Sequence, residues 1–451
     1  MTFRAAHAWV LCLLSTLGSS AHGARVDYTI GLGVEHNDNI NLSENAPAGD
    51  TIIEPTLAFA VTESGSTIQA NASGILQYRD FLQGRFGDDF LGQLNARLNW
   101  SAIPGWLDFG VEDYLGVQPI NNLTPDTPGN QQQTNVFAAG PTLNIRLGPT
   151  VRGQAQLLYT NSYADETKQF NSDRASVALR AIKDLDSGTT LAANVLGERI
   201  SFRDSQAAAD YNRYSAFGRY TRKWARFDLV ADAGYSWIKY GTSNVTGATD
   251  RDAALARANL DWHVTDRSTF TVDLAHQLSD AASGLLLTTA SVPDTVNPIP
   301  AQLSTGSATT TSAAYLENRI DVGYSYRGVR GLFMVAPYYR KLDYGSLSVV
   351  APADSSVGGA AISQTAHGAT ASAAWLLRPL LTIGVIASGE NLRYDQLSRS
   401  DKTWNLQAFL RQQFTRHWSW RGSLTRYERD STVAGQSADQ NIVFVELTYS
   451  R

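Results

Sequence analysis

The sequence predicts an all-β fold: a transmembrane antiparallel up-and-down β-barrel of about twenty strands, eighteen if one weak pair fails, with short periplasmic turns and long extracellular loops. Three observations predict it. Apolar and polar residues alternate with period two in segment after segment. The connections between segments are alternately very short and long. Tryptophans gather near segment ends instead of segment centres.

The stretch Asp89–Val117 shows the repeating unit. Its first arm sets Phe90, Leu94, Ala96, Leu98 and Trp100 on one face and Gln93, Asn95, Arg97, Asn99 and Ser101 on the other, because successive strand residues point to opposite sides. Ile103-Pro104-Gly105 reverses the chain. The return arm places Leu107, Phe109, Val111, Leu115 and Val117 with the apolar set, and Asp108, Glu112 and Tyr114 with the polar set. Asp113 breaks the alternation. Either a bulge near Glu112 turns it inward, or it faces a partner instead of lipid.

Reading forward, the strands fall at Val26–His36, then 51–62 and 67–79, the 89–117 hairpin, 135–147 and 151–159, and 174–183 and 189–197. They continue at 211–223 and 226–238, 252–264 and 269–278, 317–327 and 332–340, 365–376 and 380–387, 402–413 and 418–427, and 440–450. Pro337 makes 332–340 the weakest of these. Long connections at 118–134, 279–312 and 341–362 stand out, and the second is too long to be an accidental connector. Both ends of the strand array lie on the short-turn side. Helical readings of the same segments mix Arg or Asp with Leu and Phe on every face. A soluble propeller or sandwich is the structural rival, but it has no need of sorted connection lengths.

Residues 1–23 read as a secretory signal: Arg4, the apolar run AWVLCLLSTL, then small residues ending Ala21-His22-Gly23, with Ser19-Ser20-Ala21 as the competing cleavage site. That leaves 24–451 as the barrel. Cys12, the single cysteine, falls inside the signal, so the mature chain has no thiolate for metal binding or catalysis. With 37 Lys and Arg against 42 Asp and Glu, the net charge of −5 gives no reason to propose nucleic acid as a partner. No later run is long and apolar enough for a membrane helix. The expected location is the outer membrane of a Gram-negative bacterium.

Tryptophans 100, 106, 224, 262, 375, 418 and 420 fall beside short turns, and Trp237 and Trp404 near the opposite strand ends, which marks two interfacial girdles. The face opposite the apolar one carries Arg79, Arg97, Asp108, Glu112, Arg146, Arg152, Arg180, Arg213, Arg219, Asp228, Asp232, Arg257, Asp261, Asp273, Arg319, Asp321, Arg411 and Arg421. These are the candidate pore-lining residues. An Arg or Lys facing lipid at mid-depth costs roughly 2–4 kcal/mol, so the sorting has an energetic cause. Any single one of them is more simply a charge paired with a neighbour or solvated in water.

No catalytic, cofactor-binding or metal-binding set emerges, and no cofactor is expected. His36, His263, His276, His367 and His417 fall at different ends and faces of the barrel. Loop acids Asp38, Asp50, Asp126 and Asp165 suit calcium in chemistry, but they are also ordinary turn residues.

The opening VDYTIGLGVEHNDNINL, the Pro55-containing second strand and Tyr78-Arg79 at the end of the third resemble the outer-membrane β-barrel proteins associated with exopolysaccharide and exosortase (PEP-CTERM) systems, a porin-like group. The resemblance implies a barrel encoded with envelope polysaccharide machinery and supplies no binding residues to carry over. The chain departs from a terminal Phe or Trp by ending Thr448-Tyr449-Ser450-Arg451, leaving Leu447 and Tyr449 as the signal that the barrel assembly machinery reads on the closing strand. The expected partners are outer-membrane lipid, that machinery, and polysaccharide or polysaccharide-export proteins. The expected function is a channel for polar solutes or exported polysaccharide; the alternative is a non-conducting barrel that binds surface polysaccharide through its loops.

Overall fold

An isolated amphipathic hairpin leaves a row of unpaired backbone groups on each edge, which is untenable in a bilayer; closing the sheet on itself removes both edges. This chain does so. The computed structural model describes residues 23–204, 208–241, 248–289, 310–345 and 361–451. The expected signal at 1–23 lies outside the described residues except for Gly23.

The strands are β1 (Arg25–Asn37), β2 (Asp50–Ser64), β3 (Ile68–Phe81), β4 (Asp89–Ile103), β5 (Leu107–Pro119), β6 (Gln131–Arg146), β7 (Val151–Ala164), β8 (Ser172–Asp186), β9 (Thr189–Phe202) and β10 (Tyr211–Lys223). They continue as β11 (Phe227–Tyr240), β12 (Arg251–Thr265), β13 (Ser268–Ser279), β14 (Tyr315–Arg327), β15 (Gly331–Asp343), β16 (Gln364–Arg378), β17 (Leu381–Tyr394), β18 (Arg399–Gln413), β19 (Trp418–Ser431) and β20 (Ala438–Ser450). Each pairs antiparallel with the next, and β1 also pairs with β20 from Thr29↔Ser450 to Asn37↔Ile442, completing a twenty-stranded ring. Gly31 and Gly33 leave room for neighbouring side chains at this seam. A Cβ at either would lie within 3 Å of Glu446, Thr56 or Phe444 side-chain atoms, which cross the inner surface of β1 there.

Outward side chains form the apolar belt the sequence predicts. Val26, Ile30, Leu32 and Val34 of β1, Leu191 and Val195 of β9, and Val443, Val445 and Leu447 of β20 are all exposed. Beside the short turns the girdle is made of aromatic pairs: Trp100 with Phe109 at 5.5 Å, Trp224 with Phe227 at 4.3 Å, Trp262 with Phe270 at 6.3 Å and Trp418 with Tyr449 at 5.3 Å. A belt of this kind on a closed sheet is stable only in lipid, which places the protein in the outer membrane.

Two expectations need correction. The strands run further than expected on the long-loop side: β7 reaches Ala164, β9 Phe202 and β17 Tyr394, while β6 begins at Gln131 inside the expected 118–134 connection. Above the hydrocarbon an outward residue need not be apolar, so the alternation fades while the ladder continues. The connection after β13 is also not wholly irregular, since Ala281–Thr289 forms a helix, α1.

Strand prolines interrupt the ladder without shifting it. Pro337 pairs with Ala369 of β16, while on its other side the β14 register resumes at Tyr324↔Val335 in the same frame as Asp321↔Tyr338. Pro141 is opposite Phe109 of β5, and the β6–β7 pairing skips from Ala139↔Tyr159 to Thr142↔Gln156. A missing N–H costs bonds on one flank only.

Candidate functional site: the barrel lumen

Residues directly opposite one another on paired strands share a face, so the register decides which way each candidate points. Arg97 lies opposite Glu112, Arg146 opposite Arg152, Gln154 opposite Arg180, Arg219 opposite Asp232, and Asp232 opposite Arg257. Asp228 lies opposite Asp261, Asp273 opposite Asp321, and Arg411 opposite Arg421. The ladder thus puts Arg79, Asp108, Arg213, Arg319 and all the other candidates on the face away from the exposed apolar side chains.

Several of them meet. Asp232, almost fully buried, holds Arg219 and Arg257 at 2.7 Å each. Arg319 reaches Asp273 at 2.6 Å and Asp321 at 3.1 Å. Arg97 pairs with Glu112 at 3.0 Å and Arg152 with Asp184 at 2.7 Å, both exposed on the inner face. Arg180 donates to Asn194 at 2.7 Å, and Asp108 accepts from Ser101 at 2.6 Å and Asn144 at 2.7 Å. Asp228 and Asp261 face each other with no ion pair to either among the described residues. Opposed like charges are tolerable where water screens them and costly where it does not.

Towards the long loops the predicted Arg213 joins Asp280, Arg174 and Glu198, which the sequence reading missed. Asp280, at the root of α1, is buried between Arg174 of β8 at 2.7 Å and Arg213 of β10 at 3.0 Å, and Arg213 also holds Glu198 at 2.6 Å. The same carboxylate caps α1 by accepting from the Ser283 N–H at 3.0 Å and the Ser283 hydroxyl at 2.9 Å. Burial pushes Asp280 up, but the two guanidinium groups and the cap bonds outweigh it and hold the carboxyl well below the usual range.

From there α1 packs Ala281, Ala282 and Leu285 against Val136 of β6, Ala164 of β7 and Phe170, far round the ring from β13. The returning chain is tied to the same sector, where Gln132 donates to Thr310 at 3.0 Å and to Thr167 at 2.6 Å. A second connection, 120–130, reaches the other way. Leu123 packs on Ile362, Ala366, Leu392 and Tyr394, and the Tyr394 hydroxyl donates to the Asn122 carbonyl at 2.8 Å. The two connections cross the mouth of the barrel.

A further buried triad joins Arg399 and Arg429 to Asp401, each at 2.9 Å. Glu54 holds Arg79 at 3.4 Å and accepts from Gln77 at 2.8 Å. Strand parity alone marks Glu54 and Glu446 as inward. Only the Asp-x-x-Ser cap of α1 marks Asp280 locally; its ion-pair partners, Arg174 and Arg213, are remote in sequence.

The remaining sites resolve individually. Asp113 is not turned inward: the β4–β5 and β5–β6 registers run unbroken past it, and it sits on the outer face, 8% exposed, accepting from Asn135 at 2.7 Å. Asp50 accepts backbone N–H groups of Thr51, Gln83 and Arg85 at 2.7, 3.0 and 3.2 Å, and Asp38 accepts from the backbone and side chain of Asn441, each at 2.7 Å. Asp126 accepts from Gln131 at 3.1 Å, and the Asp165 carbonyl accepts from Lys168. His36, His276 and His367 face outward, His263 inward, and His417 occupies a short turn.

A closed, twenty-stranded, lipid-facing wall around a polar interior defines an outer-membrane β-barrel. No family model matches the chain, and no curated protein sequence is significantly similar to it. Among solved structures it is similar to the FrpB iron transporter from Neisseria meningitidis, at TM-score 0.47 and 10% identity over 97% of this chain and 83% of that one. It is also similar to the ferric citrate transporter FecA in unliganded form, at TM-score 0.47 and 9% identity over 94% and 79%. A third is the copper transporter OprC, at TM-score 0.44 and 11% identity over 95% and 80%. At these levels, what those proteins carry is no guide to this one.

Proposed function

We propose that the protein is a non-enzymatic channel that lets a polar solute or a polysaccharide cross the outer membrane, with the inward Arg, Asp and Glu residues as its wet wall. The observation that carries this reading is the pairing of like charges across the lumen face, above all Asp228 with Asp261, which is inexpensive only beside water. The resemblance of the opening stretch supports the finer assignment to exopolysaccharide export. In this reading residues 1–23 direct export, and outward Leu447 and Tyr449 present the closing strand to the assembly machinery. Planar-bilayer recordings test it. The full chain is expected to show low or intermittent conductance, and a chain lacking 281–312 a larger steady one. No conductance from either overturns it.

The crossing of the mouth by α1 and by 120–130 favours a second reading, a plugged barrel whose loops hold surface polysaccharide. Deletions within 118–134, 279–312 or 341–362 that abolish polymer retention while leaving permeability unchanged would select it.

A further inference from the structure

We infer that the outward face of β15–β18, just above the apolar belt, binds the phosphates of a phosphorylated glycolipid of the outer leaflet. This rests on the membrane placement of the barrel and not on the channel reading.

At that height the outward side chains of β15, β17 and β18 are Lys341, Arg393 and Lys402. Lys341 lies opposite Thr365 of β16, which lies opposite Arg393. Asn391, two residues below Arg393, lies opposite Lys402. With neighbouring strands about 4.8 Å apart and diagonal neighbours about 7–8 Å, the three cations follow one another at steps of roughly 8–10 Å. His367 stands between Tyr339 and Asn391 in the same patch. Beneath lie Tyr339, Val385, Trp404 and Leu406, all exposed and ready to meet acyl chains.

These cations are not consumed by the protein. Lys341 and Lys402 form no ion pair among the described residues. Asp430 faces Lys402 across the ladder without reaching it, and Asp343, two residues beyond Lys341, accepts from the Gly345 N–H at 2.8 Å. Arg393 approaches Asp395 only to 3.8 Å, with its side chain 70% exposed, a contact worth little. Outward cations in two other sectors are engaged: Arg203 makes two bonds to Asp173 at 3.1 and 3.2 Å, and Arg426 reaches Glu428 at 3.0 Å and Asp439 at 2.7 Å. A row of unspent cations directly over an aromatic and aliphatic surface matches a lipid with an anionic head and apolar tails.

The test is native mass spectrometry of the full chain in detergent, titrated with bisphosphorylated lipid A, with its monophosphorylated form and with phosphatidylethanolamine. Wild type is expected to bind in that order, and the triple variant K341Q/R393Q/K402Q to lose about tenfold in affinity for the bisphosphorylated lipid. The double variant R203Q/R426Q, at the engaged cations, is expected to bind as wild type does. Unaltered binding by the triple variant, or equal loss in the double variant, overturns the proposal. Displacement of the lipid by millimolar inorganic phosphate would overturn the lipid assignment in favour of a free-anion site. Should the triple variant lose its heat-modifiable folded band, the single reversal Lys402→Glu carries the same expectation. Conductance is not a readout here, so failure of the channel reading leaves this result standing.

Discussion

The half of the wall nearest the short turns and the half nearest the long loops are built on different terms. Near the turns the outward chains are Leu, Val, Phe and Trp and the inward ones are loosely packed, so Arg97 and Glu112 stay exposed even though they are paired. Near the loops, outward positions turn polar, as at Asp173 and Arg203, while the interior packs tightly around Ile200, Tyr211, Ile238 and Leu278. The first half is ordered by lipid outside and by exposed polar side chains inside. The second is ordered by its own core and buried ion pairs, with water outside. The barrel is therefore inside-out over only part of its height.

The largest effect should come from breaking the packed half at its anchor. Asp280→Asn leaves Arg174 and Arg213, both buried, short of an anion. Removing one partner of such a cluster typically costs about 3–5 kcal/mol. Because the loss falls on docking of α1 and not on the ladder, limited proteolysis within 281–312 should accelerate strongly while the heat-modifiable band of the barrel persists. The lowered pKa of Asp280 gives this anchor its pH dependence. Its stabilisation is fully present above the unfolded carboxyl value of about 4 and is lost only as pH falls below that towards the lowered folded value. Proteolytic protection should thus be level from about pH 5 to 8 and decline only in stronger acid.

In the lipid-ordered half, neighbouring residues should respond with opposite sensitivity. Leu98 lies opposite Val111 on the outer face, and Asn99 lies opposite Gly110 on the inner face, where a Cβ at Gly110 would have open space. Leu98→Arg should cost roughly 2–4 kcal/mol in denaturant refolding into bilayers, and Asn99→Arg close to nothing. Equal costs at the two positions would mean that this wall is not sorted by lipid.

This division explains what was legible. Where lipid enforces alternation, every strand and its face could be read from period-two pattern, down to the inward side of Arg219 and Asp232. Beyond the hydrocarbon the outward position of Asn161 or Arg393 carries no apolar signal, and the strand ends there were missed. The cap from Asp280 to Ser283 is a local pattern, Asp-x-x-Ser, that announces α1 in hindsight. Its bond to Arg174 joins residues 106 positions apart and leaves no local trace. The weak second arm at Pro337 held because a proline on one flank of a ladder removes bonds without moving the frame.

Asp113 offers a smaller test at the border of the two regimes. It accepts from Asn135 on the outer face of an otherwise apolar strand. Asn135→Leu alone should cost about 1–3 kcal/mol, since a covered carboxylate loses a donor, whereas Asp113→Leu with Asn135→Leu should restore wild-type stability or exceed it. A double variant as unstable as the single one would mean that Asp113 serves an interaction beyond this pair.

The smallest effect belongs to the turn beneath that same strand. Gly105 has φ of +76°, and a Cβ added there meets nothing within 4 Å, so Gly105→Ala is charged for backbone conformation alone. The expected loss is about 1 kcal/mol. Gly110, a few residues on, is equally open in space but lies within β5 at an ordinary strand conformation. There an added Cβ removes unfolded-state freedom without strain, and Gly110→Ala should gain about 0.4–1 kcal/mol. Opposite signs in equilibrium refolding would separate the turn from the wall it joins. Equal losses would mean that a Cβ in the strand costs as much as one in the turn, so that the positive φ of Gly105 is not what sets its cost.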